Sequence, residues 1–329
     1  MAVTMSDISK LRKLTGAGMM DCKKALQETD GDMDAAVEII RKKGQAVAAK
    51  REDREAAEGC VLSACADDFA AIVALNCETD FVAKNDGFVA LTKSILDAAM
   101  AAKAKTIEEV KALTIDGKTI ADLIVEEIGK TGEKMELGAY ECLEGAGTTC
   151  YDHLGNKLST IVTFNKPVER QVGRNIAMQV ASMNPVAVSE DAVPAEVKEK
   201  ELAIAIDKTK AEQVQKAVEA ALKKAGFNLY TAENEEHIQE GIMKGYITEE
   251  QAAQIREIKA TVAEQKAANL PEQMIQNIAN GRMNKFYKES CLLEQAFIMD
   301  EKATVKSYLA SVDADLTAVA FKRVNLNED

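Results

Sequence analysis

The chemistry that this chain could perform depends first on its seven cysteines and its two histidines, His153 and His237. Cys22 lies between Asp21 and Lys23, but a nucleophilic cysteine needs a base, and both histidines are distant in sequence. The absence of a CxxC pair disfavours a zinc ribbon or a thioredoxin-type site, and two histidines are too few for a histidine-rich metal site. We therefore expect buried, reduced thiols, no bound metal and no cofactor.

Other sequence motifs of enzymes are absent or incomplete. IDGKT at 115–119 resembles the end of a phosphate-binding loop, but such a loop requires glycine where this chain has Ala112, so we expect a simple turn. The sequence contains no GxGxxG, GxSxG or HExxH motif. We therefore predict that the protein is not an enzyme. A thiol enzyme that uses Cys22 or Cys77 is kept as a hypothesis that single cysteine-to-serine substitutions can test.

The stretch ETDFVAKN (78–85) combines side chains that suit contact with another protein. Thr79 and Asp80 are expected to end the preceding apolar run in a turn, yet Phe81 follows in a chain with only 4% aromatic residues. From the residues alone, Phe81 either folds back with Val82 into its own core or projects to fill a pocket of a partner. In the second case the carboxylate of Asp80, which only accepts hydrogen bonds, would reach the partner beside the ring.

A second stretch of this kind is TGAGMMDCKKAL (15–26), which places two methionines after a glycine-rich turn. We expect one of Met19 and Met20 to face a helical core and the other to lie exposed as a soft apolar contact for a partner. An arrangement with both side chains in the core is equally compatible with the pattern.

Three short helices are predicted within residues 5–44 from apolar residues at helical spacing, with Gly44 as the expected stop of the third helix. We assign residues 1–45 to this three-helix module. Residues 46–58 are charged and rich in alanine, and we assign them to a linker.

Beyond residue 58 the pattern changes to strands and helices. Residues 59–80 predict a β-hairpin, and residues 86–100 predict an amphipathic helix. AIVALN and STIVTFN each read as an apolar strand that ends at asparagine, Asn76 and Asn165, and each is followed by an amphipathic helix. This weak internal repeat predicts two related sheet-and-helix subdomains. We place them at residues 59–140 and at residues 141–192 with 287–329.

Residues 193–286 are predicted to be almost entirely helical. Val214, Val218 and Leu222 form a narrow apolar stripe, and GYITEEQ offers Thr248 and Gln251 as a capping box for a later helix. We expect an extended antiparallel, coiled-coil-like arm. The fold class is therefore α+β, with a three-helix module, two sheet-and-helix subdomains and a helical arm.

The net charge of −13 disfavours nucleic acid and anionic lipid as partners, because phosphate binding needs clustered lysine and arginine. No apolar run approaches the roughly 20 residues that cross a bilayer, and the N-terminus lacks the apolar core of a signal peptide. We therefore expect a cytoplasmic protein that binds neither nucleic acid nor membranes.

TGAGMMDCKKAL and NCETDFVAKN, the latter followed by Gly87 and Phe88, are similar to the two signature sequences of elongation factor Ts. The resemblance covers residues 5–100, returns at 170–185 and recurs in GRMNKF (281–286). Elongation factor Ts is a family of guanine-nucleotide exchange factors of translation, and its N-terminal module resembles ubiquitin-associated domains. The resemblance implies a partner, elongation factor Tu, bound either with GDP and Mg²⁺ or without nucleotide.

The resemblance also implies roles for individual residues. The partner contact would comprise Thr79, Asp80, Phe81 and Val82. Within it, Phe81 would wedge between two helices of the partner, while Asp80 would disturb the groups that hold the water shell of Mg²⁺. The N-terminal module would contact another helix of the partner through three residues: Met19, Met20 and Lys23. His153 is a less specific match, because the residues that flank it differ from the family pattern.

One region departs from the family pattern. The arm of typical members is short, whereas about eighty residues separate VKEKE (197–201) from GRMNKF in this chain. We predict an insertion around residues 207–262 that lengthens the arm. A rival function to nucleotide exchange is a helix-binding adaptor, because three-helix modules of this type can simply dock a partner. The adaptor hypothesis predicts that Phe81→Ala leaves function intact.

Overall fold

The computed structural model describes residues 3–327 and divides them into two compact units. The first unit contains the described residues up to Val188 and those from Gln295 onward. The second unit is Ser189–Glu294.

The first unit begins with the three predicted helices: α1 (Met5–Thr15), α2 (Met19–Glu28) and α3 (Met33–Lys50). Thr4 begins α1 with a capping box, and the Asp32 side chain accepts a hydrogen bond from the Ala35 backbone at the start of α3. The helices enclose a small core that includes Leu11 and Leu26, which are fully buried.

The predicted stop at Gly44 is wrong, because α3 continues to Lys50 and so enters the residues that we assigned to a linker. Gly44 is buried within the helix, where an added Cβ would lie 3.3 Å from the backbone oxygen of Val125. A Cβ on Gly129 would in turn lie 3.0 Å from the Cα of Gly44. The glycine therefore permits close helix packing and does not end the helix.

The next segment is a three-stranded antiparallel sheet with its helices. Its elements are β1 (Glu58–Cys65), β2 (Phe69–Cys77), α4 (Asp80–Ala83), α5 (Asp86–Ala102), α6 (Ile107–Ala112), β3 (Thr114–Ile115), β4 (Lys118–Thr119), α7 (Ile120–Thr131) and β5 (Met135–Glu144). The strand order is β1-β2-β5, and the IDGKT segment forms the expected turn, between β3 and β4. Phe88 and Ile95 of α5 pack on one face of this sheet.

A second three-stranded sheet follows the same plan. Its elements are β6 (Gly147–Asp152), β7 (Leu158–Phe164) and α8 (Arg170–Met183), and the sheet is completed by a strand from the end of the chain. In each sheet the central strand, β2 or β7, is the strand that carries the internal repeat, and a helix follows it. The predicted pair of related sheet-and-helix subdomains is therefore confirmed.

The second unit is helical, as predicted for the arm. After a 3₁₀ turn at Glu190–Ala192 it contains α9 (Ala195–Lys224), α10 (Leu229–Ala232), α11 (Glu235–Met243), α12 (Glu249–Ala268) and α13 (Glu272–Ser290). The stripe of α9 packs against Ile255 of α12 and Ile238 of α11 in a separate small core. Thr248 and Gln251 form the predicted capping box of α12.

The chain then returns to the first unit with β8 (Ala296–Phe297), β9 (Asp300–Thr304), α14 (Val305–Val312) and β10 (Ala318–Asn325). β10 pairs with β7, so the second sheet has the order β10-β7-β6. The inner faces of the two sheets share a core in which Val61, Ile72 and Ile161 are fully buried.

Candidate protein-interaction site

The site begins where the central strand β2 leaves the core. Its residues from Phe69 to Leu75 are all buried, so the strand gives the following residues a rigid base. Glu78 comes directly after the strand and accepts hydrogen bonds from Nη1 of Arg51, at 2.9 and 3.0 Å, and from the backbone N–H of Lys134, at 2.6 Å. The Lys134 donor and then Arg51 hold the pKa of Glu78 below its ordinary value.

Thr79 fixes the start of α4. Its side chain is the N-cap and accepts from the backbone N–H of Val82, at 3.5 Å. Glu133 holds Thr79 from the other side: one carboxylate oxygen accepts the Thr79 backbone N–H at 3.0 Å, and the other accepts its hydroxyl at 2.6 Å. The short helix is thus anchored through its cap by charge-assisted hydrogen bonds.

The side chain of Phe81 points away from the protein. It is 86% exposed, whereas Ala83 is buried and Val82 packs against the core of the first sheet. The inward alternative for Phe81 is therefore wrong. The ring is thus already available for contact with a partner, on a short helix whose start is held in place.

The carboxylate of Asp80 is exposed beside this ring and makes an ion pair with Lys84, with 2.6 Å between Nζ and Oδ2. The hydrogen bond from Lys84 is the main cause that lowers the pKa of Asp80, and the positive charge of Lys157 acts in the same direction. Asp80 therefore carries a full negative charge near neutral pH. Lys84 is a flexible exposed side chain, so it can release the carboxylate at little cost.

Met19 and Met20 are both exposed at the start of α2, by 48% and 63%. The prediction that one of them faces the helical core is wrong, and so is the alternative with both inside. The core side of α2 is taken instead by Cys22, Ala25 and Leu26, which leaves no apolar position for the methionines. Lys23 is also exposed on this helix.

His153 lies in the turn that joins β6 to β7 and is exposed. Its Nδ1 is 3.0 Å from the hydroxyl of Tyr151. The same turn ends at Lys157, which makes an ion pair with Glu58 at 2.8 Å and whose charge reaches Asp80. The structure therefore brings the turn that carries His153 to the side of α4, whereas the two methionines lie on a separate helix.

The two cysteines considered as nucleophiles are buried. Burial raises the pKa of the Cys77 thiol to about 12, and the negative charge of Glu133 adds to this, so the thiol stays protonated. The Cys22 thiol donates to the backbone oxygen of Ala17 at 3.7 Å. Within residues 3–327, no group of three or more histidine, cysteine, aspartate or glutamate side chains could hold a metal ion.

Sequence reasoning missed the residues that anchor the site. Arg51, Glu133 and Lys134 are distant from Thr79 in sequence, and no local pattern marks them. Lys84 could have been found, because it follows Asp80 by four residues and such pairs meet on one face of a helix.

Comparison with known proteins decides the family. The sequence model described as elongation factor TS matches residues 78–328. The chain belongs to the elongation factor Ts family. Proteins named elongation factor Ts from Parabacteroides distasonis and Bacteroides thetaiotaomicron are 60% and 59% identical over 330 residues, covering all of both chains. The protein of that name from Porphyromonas gingivalis is 48% identical over the same length.

These family members match the chain from end to end, so their sequences also include the segment that forms the second unit of this chain. No helix in the described part of the chain is long and apolar enough to span a membrane.

Proposed function

We propose that this chain is a guanine-nucleotide exchange factor of translation elongation that binds elongation factor Tu, in its GDP-bound and nucleotide-free forms, and promotes the release of GDP so that GTP can load. Membership of the elongation factor Ts family supports the proposal. The observation that carries it is the pairing of an exposed ring, Phe81, with the carboxylate of Asp80, on a short helix whose N-cap is held by Glu133.

The first step of the proposed mechanism is insertion of the Phe81 ring between two helices of the partner. The ring starts 86% exposed, and full burial of such a side chain contributes about 1.5–3 kcal/mol. Because Thr79 is held by Glu133 and Val82 packs on the core, little conformational entropy is lost when the ring enters the partner. The free energy gained when the ring is buried is then available to move the partner's helices apart.

The second step uses the charge of Asp80. The carboxylate exchanges its ion pair with Lys84 for groups that hold the water shell of the partner's Mg²⁺. Mg²⁺ neutralises the β-phosphate of GDP, so its displacement weakens the hold on the nucleotide. The chain thus needs no reactive group of its own, and we propose that it is not an enzyme.

Further contacts would secure the complex. Met19, Met20 and Lys23 present an apolar and basic surface at the start of α2, which suits an amphipathic helix of the partner's nucleotide-binding domain. His153 is a third candidate contact, since its turn lies beside α4. Because binding free energies are coupled, a factor that weakens GDP binding is itself bound more weakly when GDP is present.

We also propose that the protein acts in the cytoplasm, where its partner would be, without contacting nucleic acid directly. The net charge of −13 supports the second point.

The experiment that tests the proposal is a nucleotide-release assay. Elongation factor Tu is loaded with fluorescent GDP, excess unlabelled GDP is added, and release is followed with and without this chain. The proposal predicts faster release at micromolar protein, and unchanged release would refute it. An adaptor would instead bind elongation factor Tu without accelerating release, so a binding measurement run in parallel separates the two functions.

A further inference from the structure

The two sheets of the first unit meet along their edge strands β1 and β6. The backbone N–H of Val61 donates to the backbone oxygen of Asn156, just after β6, at 2.7 Å, and the backbone N–H of Ser63 donates to the carboxylate of Asp152 at 2.7 Å. Further along, the hydroxyl of Thr148 on β6 donates to the backbone oxygen of Ala66, just after β1. Contacts therefore advance along β1 while they recede along β6, so the two strands run antiparallel past each other. Cys65 lies two residues after Ser63 on β1, and Cys150 lies two residues before Asp152 on β6. These two cysteines therefore form the next facing pair.

The sulfur atoms of this pair are 2.7 Å apart. A disulfide bond is about 2.05 Å long, so a further approach of about 0.7 Å would bring the two sulfurs to bonding distance. Cys65 is exposed and Cys150 is half-buried beside the shared core of the two sheets. An oxidant in solution can therefore reach the Cys65 sulfur, while Cys150 is held in place behind it.

The surroundings favour ionisation of the exposed thiol of the pair. The hydrogen bond with Cys150 lowers the pKa of Cys65, and the positive charge of Arg170 lowers it further, whereas partial burial and Asp152 oppose these effects. The same hydrogen bond and burial raise the pKa of Cys150. The thiol whose pKa is lowered is thus also the accessible one, which an oxidant reaches first.

We propose that Cys65 and Cys150 form a redox modification site, at which a hydroperoxide converts the two thiols into a disulfide that joins the two sheets. The Cys65 thiolate attacks one peroxide oxygen, so that an S–O bond forms, the O–O bond breaks and the leaving oxygen takes a proton, to give water from hydrogen peroxide or an alcohol from an organic hydroperoxide. The Cys150 sulfur then attacks the Cys65 sulfur; the S–S bond forms, the S–O bond breaks, and the departing hydroxide takes the Cys150 proton as water. The two sulfurs lose two electrons, which the peroxide gains.

The other five cysteines lack this arrangement. Cys22, Cys60, Cys77 and Cys291 are buried. Cys142 is half-buried on the opposite, helix-covered face of the first sheet, where its thiol donates to the backbone oxygen of Lys105 at 3.8 Å. It therefore serves as a matched control: a partly exposed thiol in the same unit without a thiol partner.

A disulfide bond between Cys65 and Cys150 would change the melting temperature of the protein. The linked residues are 85 positions apart, so the bridge closes a long loop and restricts the unfolded chain. We expect the oxidised protein to melt at a higher temperature than the reduced protein, and a thiol reductant should reverse the shift. This readout does not depend on elongation factor Tu, so it stands whether or not the proposed exchange function holds.

The test treats the full-length chain with hydrogen peroxide and analyses it by mass spectrometry without reduction. We expect an intact mass lower by two hydrogen atoms and a link between the tryptic peptides 55–84 and 135–157. Because Cys60 and Cys77 share the first peptide and Cys142 the second, fragmentation must assign the bond to Cys65 and Cys150.

Cys65→Ser and Cys150→Ser should each abolish both the link and the rise in melting temperature, while Cys142→Ser should retain them. The melting temperature of each variant in its thiol-reduced form shows whether the variant is folded. Because Cys65 is exposed, its replacement should disturb the fold less than replacement of Cys150. A different cysteine pairing, or oxidation of Cys65 to sulfinic acid without a bond to Cys150, would overturn the proposal.

Discussion

Glu133 holds Thr79 at two points, through the backbone N–H at 3.0 Å and through the side-chain hydroxyl at 2.6 Å. The two residues are 54 positions apart in sequence, and the contact joins the segment after α7 to the N-cap of the helix that carries Phe81. The orientation of the exposed ring therefore depends on a carboxylate from another part of the chain.

Glu133→Ala should loosen α4 without unfolding the protein. Loss of charge-assisted hydrogen bonds of this kind costs about 1–3 kcal/mol, so backbone amides of Val82 and Ala83 should exchange with solvent roughly 10- to 100-fold faster. Hydrogen exchange read by mass spectrometry measures this. Glu136→Ala, at an exposed carboxylate on β5, is the control. Equal protection of α4 in both variants would show that Glu133 does not anchor it.

Lys84→Met should raise the pKa of Asp80 toward its ordinary value of 3.8, because the hydrogen bond from Lys84 is the main cause of the lowered pKa. A nuclear magnetic resonance titration of the Asp80 carboxyl carbon measures the change. Lys93→Met removes an equivalent pair with Asp97 on α5 and should leave Asp80 unaffected. If Asp80 titrates as in the unchanged protein, Lys84 does not hold its carboxylate.

The anchoring of Glu78 should make the protein less stable as pH falls. Its folded-state pKa lies below its ordinary value of 4.5, so its stabilising contribution is complete above 4.5 and is lost as pH falls through the lower folded value. The measurement is the free energy of unfolding from about pH 7 to about pH 3, compared with Glu78→Gln. The variant should have a lower free energy of unfolding near neutral pH, and this free energy should fall less steeply in acid than that of the unchanged protein. Parallel plots of the free energy of unfolding against pH would contradict this account.

Gly129→Leu should separate α3 from α7. A Cβ at this position would already lie 3.0 Å from the Cα of Gly44, so a larger side chain must push the helices apart. Overpacking of this kind costs about 1–3 kcal/mol, and limited proteolysis should cut residues 51–57 faster. Gly281→Leu in α13 is the control, because the added Cβ would meet no described atom within 4 Å apart from its own chain neighbours and helix backbone. Equal proteolysis of the two variants would show that the glycine contact is not needed.

Much of this fold follows from local patterns, because caps and periodicity act over a few residues. Thr248 and Gln251 were predicted to cap α12 and do so, and the two strand-then-helix repeats correctly indicated two similar sheets. Gly44 misled the prediction because a glycine that ends a helix and one that lets another helix approach look alike in sequence.

The site could be predicted only in part, because contacts between residues distant in sequence leave no local pattern. The types of Asp80 and Phe81 indicated a contact surface, but the exposure of the ring depends on Glu133 and Arg51, which tertiary folding brings to this place. The exposure of both Met19 and Met20 was missed, because three other residues of α2 fill the small core.

The most direct test of the central claim is the rate of GDP release from elongation factor Tu with Phe81→Ala in place of the unchanged chain. The account predicts a loss of about 10- to 100-fold in the rate at subsaturating factor, since the ring contributes about 1.5–3 kcal/mol of burial. Met243→Ala shortens another highly exposed apolar side chain. With this variant, GDP should leave elongation factor Tu as fast as it does with the unchanged protein. A folded Phe81→Ala protein that exchanges nucleotide at the unchanged rate would contradict the account.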